Sequence, residues 1–169
     1  MANKWSDMTE DEAAELLSEF PGRKPVALLR ITAGFALSRT VVLLFDDPEE
    51  NVYFEAFSPS SLNSNRDTNG LRTIPYDEVL KLKKLAESPD MWLEQEDCGK
   101  YMRESGIVVM DGQDEEITVF RGEERSTYLY SNLAAYKKYL KNYPQAKAAL
   151  TLMERLLKAV RKYTGVTYI

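Results

Sequence analysis

Histidine does not occur in this chain, and cysteine occurs once, at Cys98. Without an imidazole there is no Ser–His or Cys–His pair and no His-ligated metal. One cysteine makes neither an intramolecular disulfide nor an all-thiolate metal site. Glu94, Glu96 and Asp97 lie beside it in sequence. Neighbouring carboxylates raise a thiol pKa, so Cys98 reads as an incidental or buried residue and not as an activated nucleophile. The glycine-rich phosphate signatures G-x-G-x-x-G and G-x-x-x-x-G-K-[ST] are absent, as are the G-x-S-x-G elbow and the S-x-x-K pair. No catalytic residue, cofactor or metal site is therefore expected from motifs.

Long uncharged apolar runs are missing as well. The most apolar stretch, Val26 to Phe45, is interrupted by Arg30 and Arg39 and broken at Gly34. Charges near a bilayer centre are costly, so the stretch reads as two core strands and not as a membrane span. The first residues carry Asp7, Glu10, Asp11 and Glu12 and lack a basic segment followed by an apolar one. They do not read as a signal peptide, and the expected compartment is cytoplasmic, or periplasmic if a leader has been removed.

What is present is an ordinary globular composition. The 169 residues are 44% hydrophobic and 29% charged, which fits a single domain able to bury its own core. Thr9 with Glu12 has capping-box spacing and opens a helix over 10–20, with Ala13, Leu16, Leu17 and Phe20 as its apolar stripe and Pro21-Gly22 as its end. Residues 26–33, 39–45 and 52–57 read as a three-stranded antiparallel meander. The Ser- and Asn-rich stretch 58–73 reads as a long polar loop.

A helix is expected from Tyr76 to about Glu87, and a short one opens at Ser88-Pro89 and runs through Trp92. Residues 107–110 and 117–121 read as a hairpin around Asp111-Gly112, followed by a strand over 125–131. Leu133–Lys141 is a further helical segment. Pro144 then opens a long amphipathic helix whose apolar positions run from Ala146 to Val160 at helical spacing. The expected architecture is one α+β domain over residues 1–169, with a mostly antiparallel sheet and helices on one face; 1–8 and 165–169 read as loose tails.

Two acidic stretches stand out. Asp46, Asp47, Glu49 and Glu50 read as the solvated turn between strands. Asp111, Asp114, Glu115 and Glu116 resemble a Ca²⁺ loop at a glance, but the D-x-[DN]-x-[DN]-G order is missing, so a solvated hairpin turn is expected instead.

Charge is strongly segregated along the chain. Residues 133–169 hold eight cations and one acid, Glu154, a net +7. The whole chain is −5, so residues 1–132 carry −12. Tyr136, Lys137, Lys138, Tyr139 and Lys141 form the centre of the basic segment, with Tyr136, Tyr139 and Tyr143 expected on one face.

The missing catalytic inventory and the −12 remainder favour a non-catalytic protein-binding module. Small inhibitors, immunity proteins and antitoxins use acidic surfaces to mask basic partners with fast, steered association. The layout is similar to that of small bacterial immunity proteins, a likeness of build that carries no site residues. The expected contact residues are Asp46, Asp47, Glu49, Glu50, Asp111, Asp114, Glu115 and Glu116, with Trp92, which also reads as core, Tyr101 and the 58–73 loop as anchors. Trp5 reads as core. One alternative is an enzyme built on converging carboxylates, with or without a divalent metal. The other is a protein touching nucleic acid or an anionic membrane through the basic helices; the acidic remainder disfavours nucleic acid.

Overall fold

A computed structural model describes residues 9–33, 38–57, 70–96, 106 and 112–166. The capping-box side chains, Trp5, Cys98, Tyr101, Asp111, strand 107–110 and most of the polar loop lie outside the described residues.

Six antiparallel strands form one sheet in the order β4-β3-β2-β1-β5-β6. These are β1 (Pro25–Ala33), β2 (Ser38–Phe45), β3 (Val52–Phe57), β4 (Gly70–Arg72), β5 (Gln113–Arg121) and β6 (Glu124–Ser131). Helix α1 (Thr9–Ser18) precedes the sheet, α2 (Tyr76–Ala86) and a 3-10 turn (Pro89–Trp92) cross from β4 towards β5, and a 3-10 helix (Leu133–Asn142) leads into α3 (Pro144–Thr164). The meander and the long C-terminal helix stand where their apolar spacing puts them.

Two expectations change. Residues 70–72 are not loop but the edge strand β4, paired with Val52–Phe54. The acidic stretch is not a solvated turn: Gln113–Glu116 form the first half of β5, which pairs with β1 on one side and β6 on the other. A hairpin turn lies at Gly122-Glu123, between β5 and β6, where the composition also suggests one and where Gly122 takes a φ of 63°. Gly112 precedes β5 because Asn132 lies against it. A Cβ there would collide with the Asn132 carboxamide, which accepts the Gln113 N–H at 2.8 Å.

The two faces of the sheet differ. On one face, Ala27, Leu29, Val42, Leu44, Phe54, Ile117 and Val119 meet Val79, Leu82, Met91, Leu133, Leu140, Ala149, Met153 and Leu156 from α2, both 3-10 segments and α3. This is the main core. α1 is the exception to a one-sided helical layer. Its Ala13, Leu16 and Leu17, with Phe20 just beyond, pack on Leu28, Val41, Leu43, Phe45 and Phe120 of the opposite face. That explains why β1 and β2 are apolar on both sides over part of their length. Phe20 lies with its ring centroid 5.3 Å from Phe45 and 5.1 Å from Tyr53.

α3 begins at Pro144, whose missing N–H costs nothing at a first helical position. It ends at Gly165 in the left-handed conformation (φ 73°), whose N–H donates to the Arg161 carbonyl at 3.2 Å. The free edge of β6 is closed by a side chain. The Gln95 carboxamide accepts the Leu129 N–H at 3.1 Å and donates to the Leu129 carbonyl, the two bonds a neighbouring strand would make.

The β2–β3 turn is tied to the approach of α2 by Asn51, which is fully buried. Its Nδ2 donates to the carbonyls of Asp47 (3.0 Å) and Ile74 (2.9 Å), and its Oδ1 accepts the Ile74 N–H at 2.9 Å. Asn51→Ala leaves the Ile74 backbone groups unpaired in a dry site. Urea unfolding should register a loss of about 2–4 kcal/mol, far more than an exposed turn substitution such as Glu49→Ala.

Candidate functional site

The polar half of the α1-facing sheet surface holds the most developed arrangement of charge. α1 covers only the apolar end of that face. Beyond it, the inward-and-outward alternation of β1, β2, β3 and β5 brings Arg30, Arg39, Glu55 and Glu116 to the same side. A cleft of about 220 Å³ opens between helix and sheet, with Glu15, Glu19, Arg30, Arg39 and Glu55 in its lining.

Its floor is an ion pair. Arg30 and Glu116 are opposite each other in the β1–β5 register. The Arg30 Nε donates to Glu116 Oε1 at 3.1 Å, and Nη2 donates to the same oxygen. Both side chains are about nine-tenths buried, at 9% and 10% exposure. The pair cancels its own charge. The lining then holds three carboxylates, Glu15, Glu19 and Glu55, against Arg39.

The negative potential reaches Tyr53. Its hydroxyl donates to Glu55 Oε2 at 3.2 Å, and its phenol is pushed up to about 12, first by burial and then by the charges of Glu55 and Glu19. Among the described residues no three acidic side chains converge closely enough to hold a metal ion.

The expected contact residues are scattered and mostly occupied. In the β2–β3 turn, Asp46 accepts Lys83 Nζ and the Tyr76 hydroxyl, each at 2.8 Å. Those bonds, Lys83 first, hold its carboxyl below the usual range. Arg23 lies 3.8 Å from Asp47 and 3.2 Å from Glu50, and also donates to the Glu50 carbonyl. Glu50 adopts a left-handed backbone (φ 44°) there. Only Glu49 of the four forms no ion pair with a described residue. Trp92 is half-buried against the main core; its Nε1 donates to the Ala86 carbonyl at 2.8 Å, and the Arg121 guanidinium lies 4.3 Å from its ring centre. Asp114 is exposed and accepts the Ser131 hydroxyl at 2.5 Å.

Glu115 and Glu116 are the clearest corrections, because both are buried. As neighbours on a strand they point to opposite faces. Glu116 meets Arg30. Glu115 faces the main core, where its carboxylate accepts the Leu133 N–H at 3.2 Å and Gln113 Nε2 at 2.9 Å. Neither carboxylate is available to a partner.

The basic segment also divides. Tyr136 is buried with Leu133 and Leu140, while Tyr139 is 39% exposed and Tyr143 half-buried, so the tyrosines do not share a face. Lys137, Lys138 and Lys141 are exposed. Of the cleft and its floor, only Glu116 is among the residues expected from the sequence, although the sequence carries two signals for the others. Arg30 and Arg39 are charges inside otherwise apolar strands, and Glu15 on α1 and Glu19 just past its end stand four apart, off the apolar stripe.

No protein-family model matches the chain, and no curated protein aligns with it significantly. Among the described residues no helix is long and apolar enough to cross a membrane.

The two buried carboxylates can be tested separately. Glu116→Ala strands the Arg30 guanidinium and should cost about 3–5 kcal/mol in denaturant unfolding, whereas Arg30→Met combined with Glu116→Leu should come out near the wild type. Burial raises the Glu115 carboxyl above its ordinary value of 4.5. A folded carboxyl that holds its proton to higher pH than the unfolded one stabilises below the unfolded value. That stability is lost as pH rises through the folded value. Glu115→Gln removes this titration, and should flatten the fall in stability above 4.5 in a pH series of urea melts.

Proposed function

We propose that the protein is a non-catalytic binding module that docks a basic protein partner, in the manner of an inhibitor or immunity-type protein. The observation that carries the reading is the acidic cleft between α1 and the polar half of the sheet. A lysine or arginine entering it meets Glu15, Glu19 and Glu55 without having to displace Arg30, whose charge Glu116 already satisfies. Charge-assisted contacts of this kind are stronger than neutral ones, and at low ionic strength the −12 of residues 1–132 steers a cation towards them. The binding surface in this reading is the outer sheet face and not the β2–β3 turn, whose carboxylates are largely engaged with Arg23 and Lys83.

The test is affinity capture from extract of the native host at low and high salt, followed by reconstitution with the purified partner. One basic protein should be enriched at low salt and released at high salt. Glu15→Lys on α1 with Glu19→Lys just past its end, both exposed, should weaken the reconstituted complex by about 100-fold or more. A partner held equally well at both salts, or equally well by the double variant, sinks the reading.

A further inference from the structure

The opposite side of the molecule carries a second charged surface, independent of the cleft. α3 buries Ala146, Ala149, Leu150, Met153, Leu156 and Val160 in the main core. Its exposed positions Lys147, Glu154, Arg155, Lys158, Arg161 and Lys162 fall within about a third of the helix circumference, a stripe opposite the buried positions. Over 21 residues the helix is about 31 Å long. The single acid in the stripe, Glu154, is held by Lys137 of the neighbouring 3-10 helix at 2.9 Å. That bridge joins the stripe to the segment bearing Lys138 and Lys141, both exposed. Lys138, Lys141, Lys147, Arg155 and Lys158 form no ion pair with a described residue. Tyr163 stands exposed at the far end, with Lys162 Nζ 4.8 Å from its ring centre.

We propose that this stripe is a docking surface for an anionic lipid bilayer, on which α3 lies flat without inserting. Three observations favour a bilayer. The apolar side of α3 is already spent on the core, so the contact is electrostatic and superficial. The cations form a band on the outer side of a helix, a surface that lies against a plane of headgroups. They are mostly lysines, which meet phosphates as point charges, and the tyrosine at the end has the amphipathic ring that suits the headgroup layer. The acidic cleft lies on the far side of the sheet. At physiological salt its charge is screened over about 8 Å, so it does not oppose the contact, and it faces away from the surface.

The experiment is co-sedimentation of the full chain with vesicles of phosphatidylcholine alone and of phosphatidylcholine mixed with phosphatidylglycerol. Sedimentation with the mixed vesicles only, falling as salt rises, is the expected result. Lys147→Glu, Arg155→Glu and Lys158→Glu together should reduce partitioning by about 100-fold or more, whereas Arg125→Glu on β6 should leave it unchanged. Should the triple variant fail to fold by circular dichroism, Tyr163→Trp in the otherwise native chain gives a second reading. The emission of the introduced indole should shift to the blue on mixed vesicles and stay put on neutral ones. Absence of sedimentation, equal sedimentation with both vesicle types, wild-type partitioning of the folded triple variant, or an unshifted emission of the Tyr163→Trp variant would each overturn the proposal. So would a gel-shift of DNA or RNA abolished by the triple variant without any vesicle binding, which would make the stripe a nucleic-acid surface.

Discussion

The pairing of β1 with β5 is the contact on which the rest of the molecule depends. It joins Ala27 to Val119 and Ala33 to Gln113, residues far apart in the chain, and it unites the N-terminal meander with the β5–β6 hairpin in one sheet. Its register is pinned electrostatically. Glu115 and Glu116 are adjacent, buried, and on opposite faces. Glu116 needs the Arg30 guanidinium and Glu115 needs the Leu133 N–H. A slip of one residue would turn Ile117 and Val119 out of the main core and Phe120 away from α1, and would strand both carboxylates. The sheet has one good alignment here because every alternative leaves a buried charge without its partner.

Most of the architecture is legible in the sequence. The strands at 26–33, 39–45 and 52–57 follow from β-branched and aromatic residues between turn signals, and α3 from apolar positions at helical spacing between Pro144 and Gly165. What stays hidden are the places where long-range contacts overrule local chemistry. Four consecutive polar residues, Gln113 to Glu116, look like a turn because nothing nearby shows that Arg30 and Leu133 await them. Gly70 to Arg72 look like loop because a three-residue edge strand is shorter than any pattern that could announce it. The acidic stretch 46–50 is a turn, as its composition suggests, but its charges are engaged, and Arg23 and Lys83 become their partners only in the folded chain. The cleft is invisible for the same reason: its lining comes from α1, β1, β2 and β3, and Glu55 lies far along the chain from Glu15 and Glu19.

Charge segregation along the chain becomes separation in space. The basic segment supplies the 3-10 helix and α3, which close the main core and turn their polar sides outward. The acidic cleft belongs to the other face of the same sheet. The net charge, −5 overall, conceals this arrangement. Two surfaces of opposite sign, divided by a sheet and its core, suit a protein that holds one thing while standing on another. The two proposed contacts draw on different residues.

The floor of the cleft bears on that reading through its cost. A buried ion pair between strands contributes little stability compared with well-packed apolar side chains of the same volume. The other end of the same sheet face uses the apolar solution, with Leu28, Leu43, Phe45 and Phe120 under α1. The pair does something the seam does not. It keeps the β1–β5 register while leaving the face polar, and it presents a floor whose two charges cancel. The sign of the cleft is then set by its lining alone, by Glu15, Glu19 and Glu55 against Arg39. A change at the rim alters what the cleft attracts without disturbing what holds the sheet together.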